Sequence, residues 1–118
     1  MRNKAFVGTI LLIASLPSDQ AAAHAILDRA EPRVGSTVAV APQEVVLWFT
    51  AALEPTFSTI TVTYAADQRV DTGKARVNGS RMSISFRAAG SGTYHIRWHV
   101  LSKDTHTSDG NYTFTVGQ

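Results

Sequence analysis

The amino-acid sequence predicts an all-β fold, a small Greek-key β-barrel or sandwich of immunoglobulin-like type. Three observations support this prediction. Apolar and polar residues alternate with a period of two over most of the chain, turn residues interrupt the alternation at short intervals, and helical spacing is missing from it. Six or seven short strands in a domain of this size are typical of such folds. The 118 residues include no cysteine, so the fold has no disulfides.

Five strands follow from the alternation, each with one face toward the core and one wetter face. They cover residues 45–50, 59–64, 81–87, 94–101 and 111–116. Between and beside them, glycine, proline, asparagine and aspartate tolerate the backbone angles that turns require. These turns are predicted at residues 32–36, 71–73, 78–79, 90–92 and 109–110.

The first 23 residues are predicted to be a cleaved secretory signal peptide. Arg2 and Lys4 give a basic start, residues 5–16 form an apolar run, and residues 21–23 are the small residues that signal peptidase accepts. The apolar run is shorter than the roughly 20 residues needed to cross a bilayer. The mature protein is therefore expected to be a single exported domain, residues 24–118, that does not insert into a membrane.

Size and composition exclude several classes of function. A chain of 118 residues is too short for a nucleotide-binding unit joined to a substrate domain. Removal of Arg2, Lys4 and Asp19 with the signal leaves nine basic and eight acidic side chains, with no basic cluster, so no nucleic-acid partner is expected. The lack of cysteine excludes thiolate metal sites and cysteine nucleophiles. Any metal chemistry must use nitrogen and oxygen ligands.

Two groups of such donors are candidate metal ligands. After cleavage His24 is the first residue, and its α-amine and ring Nδ1 can chelate one metal ion without help from the fold. Asp104 and His106 lie two residues apart, so extended chain places the carboxylate and the imidazole on one side. If the fold brings the terminus beside this pair, three nitrogens and one oxygen favour Cu(II), although zinc can use the same residues. Taken alone, each group also has a plainer explanation: an accident of the cleavage site, or turn chemistry.

The other histidines are expected to be ordinary surface or half-buried residues. His95 and His99 lie on one face of one strand, about 13 Å apart at 3.3 Å per residue, so they cannot share one metal ion on a straight strand. His99 is the nearer of the two to Asp104 and is a candidate for an outer-shell role. Met82 is the only methionine after the signal peptide, so no methionine-rich Cu(I) site is expected.

Several motifs extend over the whole of residues 24–118. They are His24-Ala25-Ile26-Leu27, Glu31-Pro32, Gly35-Ser36, Leu47-Trp48-Phe49-Thr50, Leu53-Glu54-Pro55 and the closing stretch, Tyr94 to His106 followed by residues 110–116. The motifs resemble those of the CopC copper-binding proteins of the bacterial periplasm. The closing stretch is the most specific, because it is similar to the family pattern Y-x-V-x-W-x-V-x-S-x-D-G-H followed by G-x-x-x-F-x-V.

The resemblance implies a Greek-key β-barrel, cupredoxin-like in appearance, that binds one Cu(II) through His24, Asp104 and His106. It implies a periplasmic copper carrier or buffer for copper resistance or homeostasis, not an enzyme. The expected protein is a monomer whose partners are the copper ion and a copper-transporting membrane protein of the inner or outer membrane.

Three positions depart from the family pattern. Thr105 replaces the usual glycine and Thr107 replaces the usual proline, which alters the loop while keeping both ligands. Ala51 stands where many relatives carry a glutamate near the terminal amine, so that carboxylate is missing or is supplied by Glu54.

Two alternative functions stay open at this point. An amine-and-imidazole brace also supports oxygen activation, so the alternatives include a copper oxidase or monooxygenase-like enzyme. A metal-free β-sandwich interaction module is the other, if the terminus lies far from His106.

Overall fold

Two β-sheets face each other in the computed structural model, which describes residues 25–117. Within that range the strands are β1 (Leu27–Glu31), β2 (Thr37–Val38), β3 (Glu44–Phe49), β4 (Thr59–Tyr64), β5 (Gln68–Arg69), β6 (Asp71–Asn78), β7 (Arg81–Phe86), β8 (Gly92–Leu101) and β9 (Thr107–Val116). One sheet has the order β1-β3-β7-β6 and the other the order β2-β9-β8-β4-β5. Short 3₁₀ helices at Pro55–Phe57 and Ala65–Asp67 flank β4. The predicted signal peptide and His24 lie outside the described residues.

The all-β prediction is confirmed, and of its two forms the structure is the sandwich, because the sheets do not join into a closed barrel. All five strands predicted from the alternation are present as β3, β4, β7, β8 and β9. Their apolar faces form the core between the sheets. At its centre the rings of Tyr94 and Phe114 stack with centroids 5.3 Å apart, and both side chains are fully buried.

The turn predicted at residues 71–73 is wrong, because β6 begins at Asp71. This strand lies at the edge of its sheet, and its pairing with β7 shifts register between Thr72 and Arg76. Most of its side chains are exposed, although Ala75 and Val77 pack against the core. The first half of the strand, residues 71–74, has no apolar residue, and the alternation of residues 75–78 is too short to have revealed the strand by itself.

The turn predicted at residues 109–110 is also wrong, since both residues lie inside β9. Gly110 is directly opposite Trp98 of β8, and a Cβ atom on Gly110 would lie 2.4 Å from Trp98 Cζ2. The glycine is therefore required by the close approach of the indole ring, and not by a turn.

A long hairpin carries the predicted ligands. β8 and β9 pair antiparallel over their full length, from Gly92 opposite Val116 to Leu101 opposite Thr107. The connection between them, residues 102–106, therefore stands at one end of the sandwich. We name these five residues the hairpin loop.

Asp71 of β6 connects the two sheets through hydrogen bonds to β4 and β5. Its carboxylate accepts hydrogen bonds from the backbone N–H of Val62 in β4 and from the guanidinium of Arg69, each at 2.8 Å, and its side chain is only 5% exposed. Burial acts to raise the pKa of Asp71, but these hydrogen bonds and the charge of Arg69 outweigh it and hold the pKa below its usual value.

The lowered pKa of Asp71 predicts an acid-sensitive contribution to stability. The contribution is present above the unfolded-state pKa of about 4 and is lost as the pH falls through the lower folded-state pKa. We expect Asp71→Asn to reduce the free energy of unfolding near neutral pH and to flatten its decline in acid, as measured by urea unfolding across that range. An unchanged acid dependence in the variant would assign the loss to other groups.

Candidate metal site

The hairpin loop is closed by hydrogen bonds between its first and last residues. The N–H of Ser102 donates to the carbonyl of His106 at 2.9 Å, and the N–H of His106 donates back to Ser102 Oγ at 3.3 Å. The N–H of Thr105 donates to the carbonyl of Ser102 at 2.9 Å. Ser102 is fully buried beneath the loop. One buried serine therefore organises the backbone on which Asp104 and His106 stand.

A second segment, residues 52–54, supports the loop from outside the hairpin. The N–H of Lys103 donates to the carbonyl of Ala52 at 3.0 Å, and Leu53 forms a β-bridge with Ser102. Asp104 and His106 remain exposed on the far side. The loop thus has a fixed base and a solvent-exposed outer surface, which suits side chains that must reach an incoming ion.

Thr105, between the two predicted ligands, has a φ of 72°. This left-handed conformation favours glycine and is costly for a β-branched residue. The glycine of the family pattern at this position is therefore explained by the backbone of the loop.

Replacing Thr105 by glycine is expected to raise the free energy of unfolding by about 1 kcal/mol, since relief of the left-handed strain exceeds the added flexibility of the unfolded chain. Chemical denaturation measures the change. Thr107→Gly serves as the matched control, because Thr107 pairs with Leu101 within the regular strand ladder, where glycine destabilises. Destabilisation by Thr105→Gly would show that the threonine is not strained.

The start of the described chain lies beside the hairpin loop. Ser108 Oγ, two residues beyond His106, donates a hydrogen bond of 2.6 Å to the carbonyl of Ala25. The Ala25 side chain is only 1% exposed and belongs to the core. The next residue, Ile26, is held to Thr50 by two hydrogen bonds of 2.9 and 3.0 Å. Ala25 is therefore fixed next to the first residues of β9.

The predicted ligand set is thus only partly described. Asp104 and His106 stand close together on the hairpin loop, whereas His24 lies outside the described residues. Within residues 25–117 no group of three or more histidine, cysteine, aspartate or glutamate side chains is placed to hold a metal ion. The two described donors do not form a complete site by themselves, and the prediction for His24 stays a prediction.

The remaining histidines lie on the outer face of the second sheet. His95 Nε2 is 3.1 Å from Asn111 Oδ1, and His99 is exposed and opposite Asp109. Ser108, which bonds to Ala25, and its ladder partner Val100 have the opposite side-chain direction. The expectation that His95 is a surface or half-buried residue agrees with this placement. An outer-shell role for His99 receives no support from it.

From the sequence, Glu54 is the candidate source of the family carboxylate, because Ala51 stands at the position of the usual glutamate. Ala51 is partly buried and packs against the core. Glu54 lies beside the hairpin loop, where its N–H donates to the carbonyl of Leu101 at 2.8 Å and its carboxylate is 3.9 Å from Lys103 Nζ. The described contacts of the Glu54 carboxylate are thus toward a lysine at the loop.

Sequence reasoning assigned no role to Ser102, although this residue stands at the serine of the family pattern, and it did not single out Ser108. Their hydroxyl groups bond to backbone atoms, and the partner of Ser108 is 83 positions away along the chain. A serine in or beside a strand carries no local signal for such a contact. For Ser102 the family pattern was a signal, and for Ser108 the signal was its position two residues after the Asp-x-His pair.

Comparisons with known proteins agree with this fold. The CopC domain matches residues 27–117. Protein YobA of Escherichia coli is 34% identical over 110 residues, covering 90% of this chain and 89% of the relative. Copper resistance protein C of Escherichia coli is 30% identical over 106 residues, covering 81% and 83% of the two chains.

Solved structures show the same relationship. The crystal structure of CopC from Methylosinus trichosporium has a TM-score of 0.74 and 29% identity, covering 79% of this chain and 93% of that one. PcoC, a methionine-rich copper resistance protein from Escherichia coli, has a TM-score of 0.71 and 33% identity, covering 80% of this chain and 100% of that one. Among residues 25–117 no helix has the length and apolarity to cross a membrane.

The family also decides between the functional classes left open by the sequence. Its members are copper-binding resistance proteins and not enzymes, so the prediction of a non-enzymatic copper protein is confirmed at that level and the oxidase alternative loses its basis. The domain match and both sets of relatives lead to one conclusion: the chain belongs to the CopC family of copper-binding resistance proteins.

Proposed function

We propose that this protein is an exported, periplasmic copper carrier that binds one Cu(II) through the amine and imidazole of His24 together with Asp104 and His106. The observation that carries the proposal is the hydrogen bond between Ser108 Oγ and the Ala25 carbonyl. It places the residue that follows His24 beside the strand that follows His106.

Elementary distances support the reach of this set. Adjacent Cα atoms are about 3.8 Å apart, and residues two apart on a strand are separated by about 7 Å. His24 is the residue before Ala25, whose carbonyl is bonded to Ser108, and His106 is two residues before Ser108. Two imidazoles that start this close together can reach one ion.

The donor set suits Cu(II). Three nitrogens and a carboxylate favour tetragonal coordination, and Cu(II) lies above zinc in the affinity order for divalent ions. Because the amine and imidazoles must be deprotonated to bind, copper binding releases protons and weakens in acid. The set contains no thioether, and Met82 is fully buried in the core.

Removal of residues 1–23 is part of the same proposal. Before cleavage the nitrogen of His24 is a peptide amide, which is a poor ligand unless deprotonated. Cleavage after Ala23 creates the amine, so the full donor set exists only in the exported protein.

A titration of the secreted protein tests the proposal. Mass spectrometry should show a chain that starts at His24, and Cu(II) titration followed by electron paramagnetic resonance should show one tight equivalent with a nitrogen-rich tetragonal spectrum. Several weak equivalents, or a chain that begins at another residue and binds equally well, would contradict the assigned ligands.

A further inference from the structure

Three residues form a row across the outer face of the first sheet. Arg29 of β1 pairs with Trp48 of β3, which pairs with Arg81 of β7. The Arg29 guanidinium lies 3.8 Å from the centroid of the Trp48 ring, and that of Arg81 lies 5.8 Å from it. We name these three residues the Arg-Trp-Arg row.

Neither guanidinium of the row is neutralised by a carboxylate of the described residues. Among residues 25–117, neither Arg29 nor Arg81 has a carboxylate within ion-pair distance or a side-chain hydrogen bond. Arg76, on the same face, differs because it pairs with Glu44 at 3.0 Å. A guanidinium that contacts an aromatic ring retains N–H donors for a second partner.

The composition of the row is that of a protein-binding centre. Tryptophan and arginine are the residue types most enriched among those that dominate protein–protein binding energy. Trp48 is only half-buried, so its ring is open to contact. Two cations without a described carboxylate partner flank the ring, which makes the row complementary to an anionic partner.

We propose that the Arg-Trp-Arg row is a docking surface for a protein that presents carboxylates on both sides of a small apolar contact. A nucleic acid or an anionic membrane fits less well, because Glu31 lies on the same face and pairs with Val46 in the neighbouring row. The mature chain also lacks the basic cluster that counterion release requires.

The row lies near the proposed copper site. Trp48 is two residues from Thr50, about 7 Å along the strand, and Thr50 bonds to Ile26 at 2.9 Å. A partner seated on the row would therefore stand near Ile26, two residues after the proposed ligand His24, where copper exchange would take place. Only this link to copper rests on the proposed function, since docking itself can be tested without metal.

Nuclear magnetic resonance of the metal-free protein tests the surface, because its two tryptophans give two indole N–H signals. The probe is poly-L-glutamate. We expect the Trp48 signal to shift during titration, while the signal of Trp98, which packs between Phe49 and Tyr112, stays in place and reports that the fold is intact. Added salt should weaken the binding.

Matched variants separate the row from general charge. Arg29→Gln combined with Arg81→Gln should weaken binding about tenfold, which is about 1.4 kcal/mol. Arg76→Gln, on the same face, should change it by less than about twofold because that charge is already paired. Equal shifts of both indoles, no shift of Trp48, or a double variant that binds as well as the parent would overturn the proposal. Tighter binding to phosphatidylglycerol vesicles than to poly-L-glutamate would also overturn it, in favour of a membrane surface.

Discussion

Replacing His106 by alanine is expected to weaken Cu(II) binding by about a hundredfold or more, because loss of residues that only support metal ligands already costs 10- to 100-fold. His106 is exposed at the end of the hairpin loop, so truncating its ring removes a donor without opening the core. Its backbone still closes the loop through Ser102. The folded state should therefore persist while affinity falls, and a competition titration against a Cu(II) chelator measures the change.

His99→Ala is the matched control for this experiment. His99 is also an exposed histidine of the same hairpin, but it lies on the outer face of the sheet, opposite Asp109. Its removal should leave the affinity within about twofold, since a side chain on the outer face neither binds the ion nor orients a ligand. Equal losses in the two variants would indicate that copper binds on the outer face, and no loss in either would remove the hairpin histidines from the site.

Replacing Gly110 by alanine should lower the free energy of unfolding by about 3 kcal/mol, at the upper end of the range for overpacking. The new Cβ would lie 2.4 Å from Trp98 Cζ2 and 3.0 Å from its Cε2. The indole cannot easily move away, because Phe49 and Tyr112 pack against it with centroid distances of 6.0 and 6.3 Å. Thermal or urea unfolding measures the effect.

Gly117→Ala provides the comparison for Gly110→Ala, because a Cβ at Gly117 meets Thr37 Cγ2 at an ordinary 3.5 Å. It should be close to neutral. A second test combines Gly110→Ala with Trp98→Leu, in which the cost of the added methyl group should largely disappear. A cost that persists in this background would place the conflict elsewhere than in the indole ring.

The fold could be predicted from the sequence to the extent that strands have one buried face. β4, β7 and β8 alternate because one side of each meets the core. β6 was not found in this way, since its first four residues include no apolar side chain and only residues 75–78 alternate. The Asp-Gly pair at 109–110 was misleading because the same small residue serves turns and close packing, and only the position of Trp98 distinguishes them.

The candidate site shows a similar division. Asp104 and His106 could be identified locally, because their spacing and residue types are visible in the sequence. The contact that brings Ala25 beside the same hairpin could not, since Ser108 and Ala25 meet only through the order of the strands in space. The left-handed backbone of Thr105 explains a family glycine whose role the sequence alone left unstated.

The most direct test of the proposed site changes only the terminal amine. Two forms of the protein are compared, one that begins at His24 and one with a single alanine placed before it, by Cu(II) affinity and electron paramagnetic resonance. Every side chain is retained in both, but in the second form the nitrogen of His24 is an amide. We predict that the extended form binds Cu(II) at least about a hundredfold more weakly and with fewer nitrogen ligands. Equal affinity with an identical spectrum would contradict a copper site built on the amine of His24.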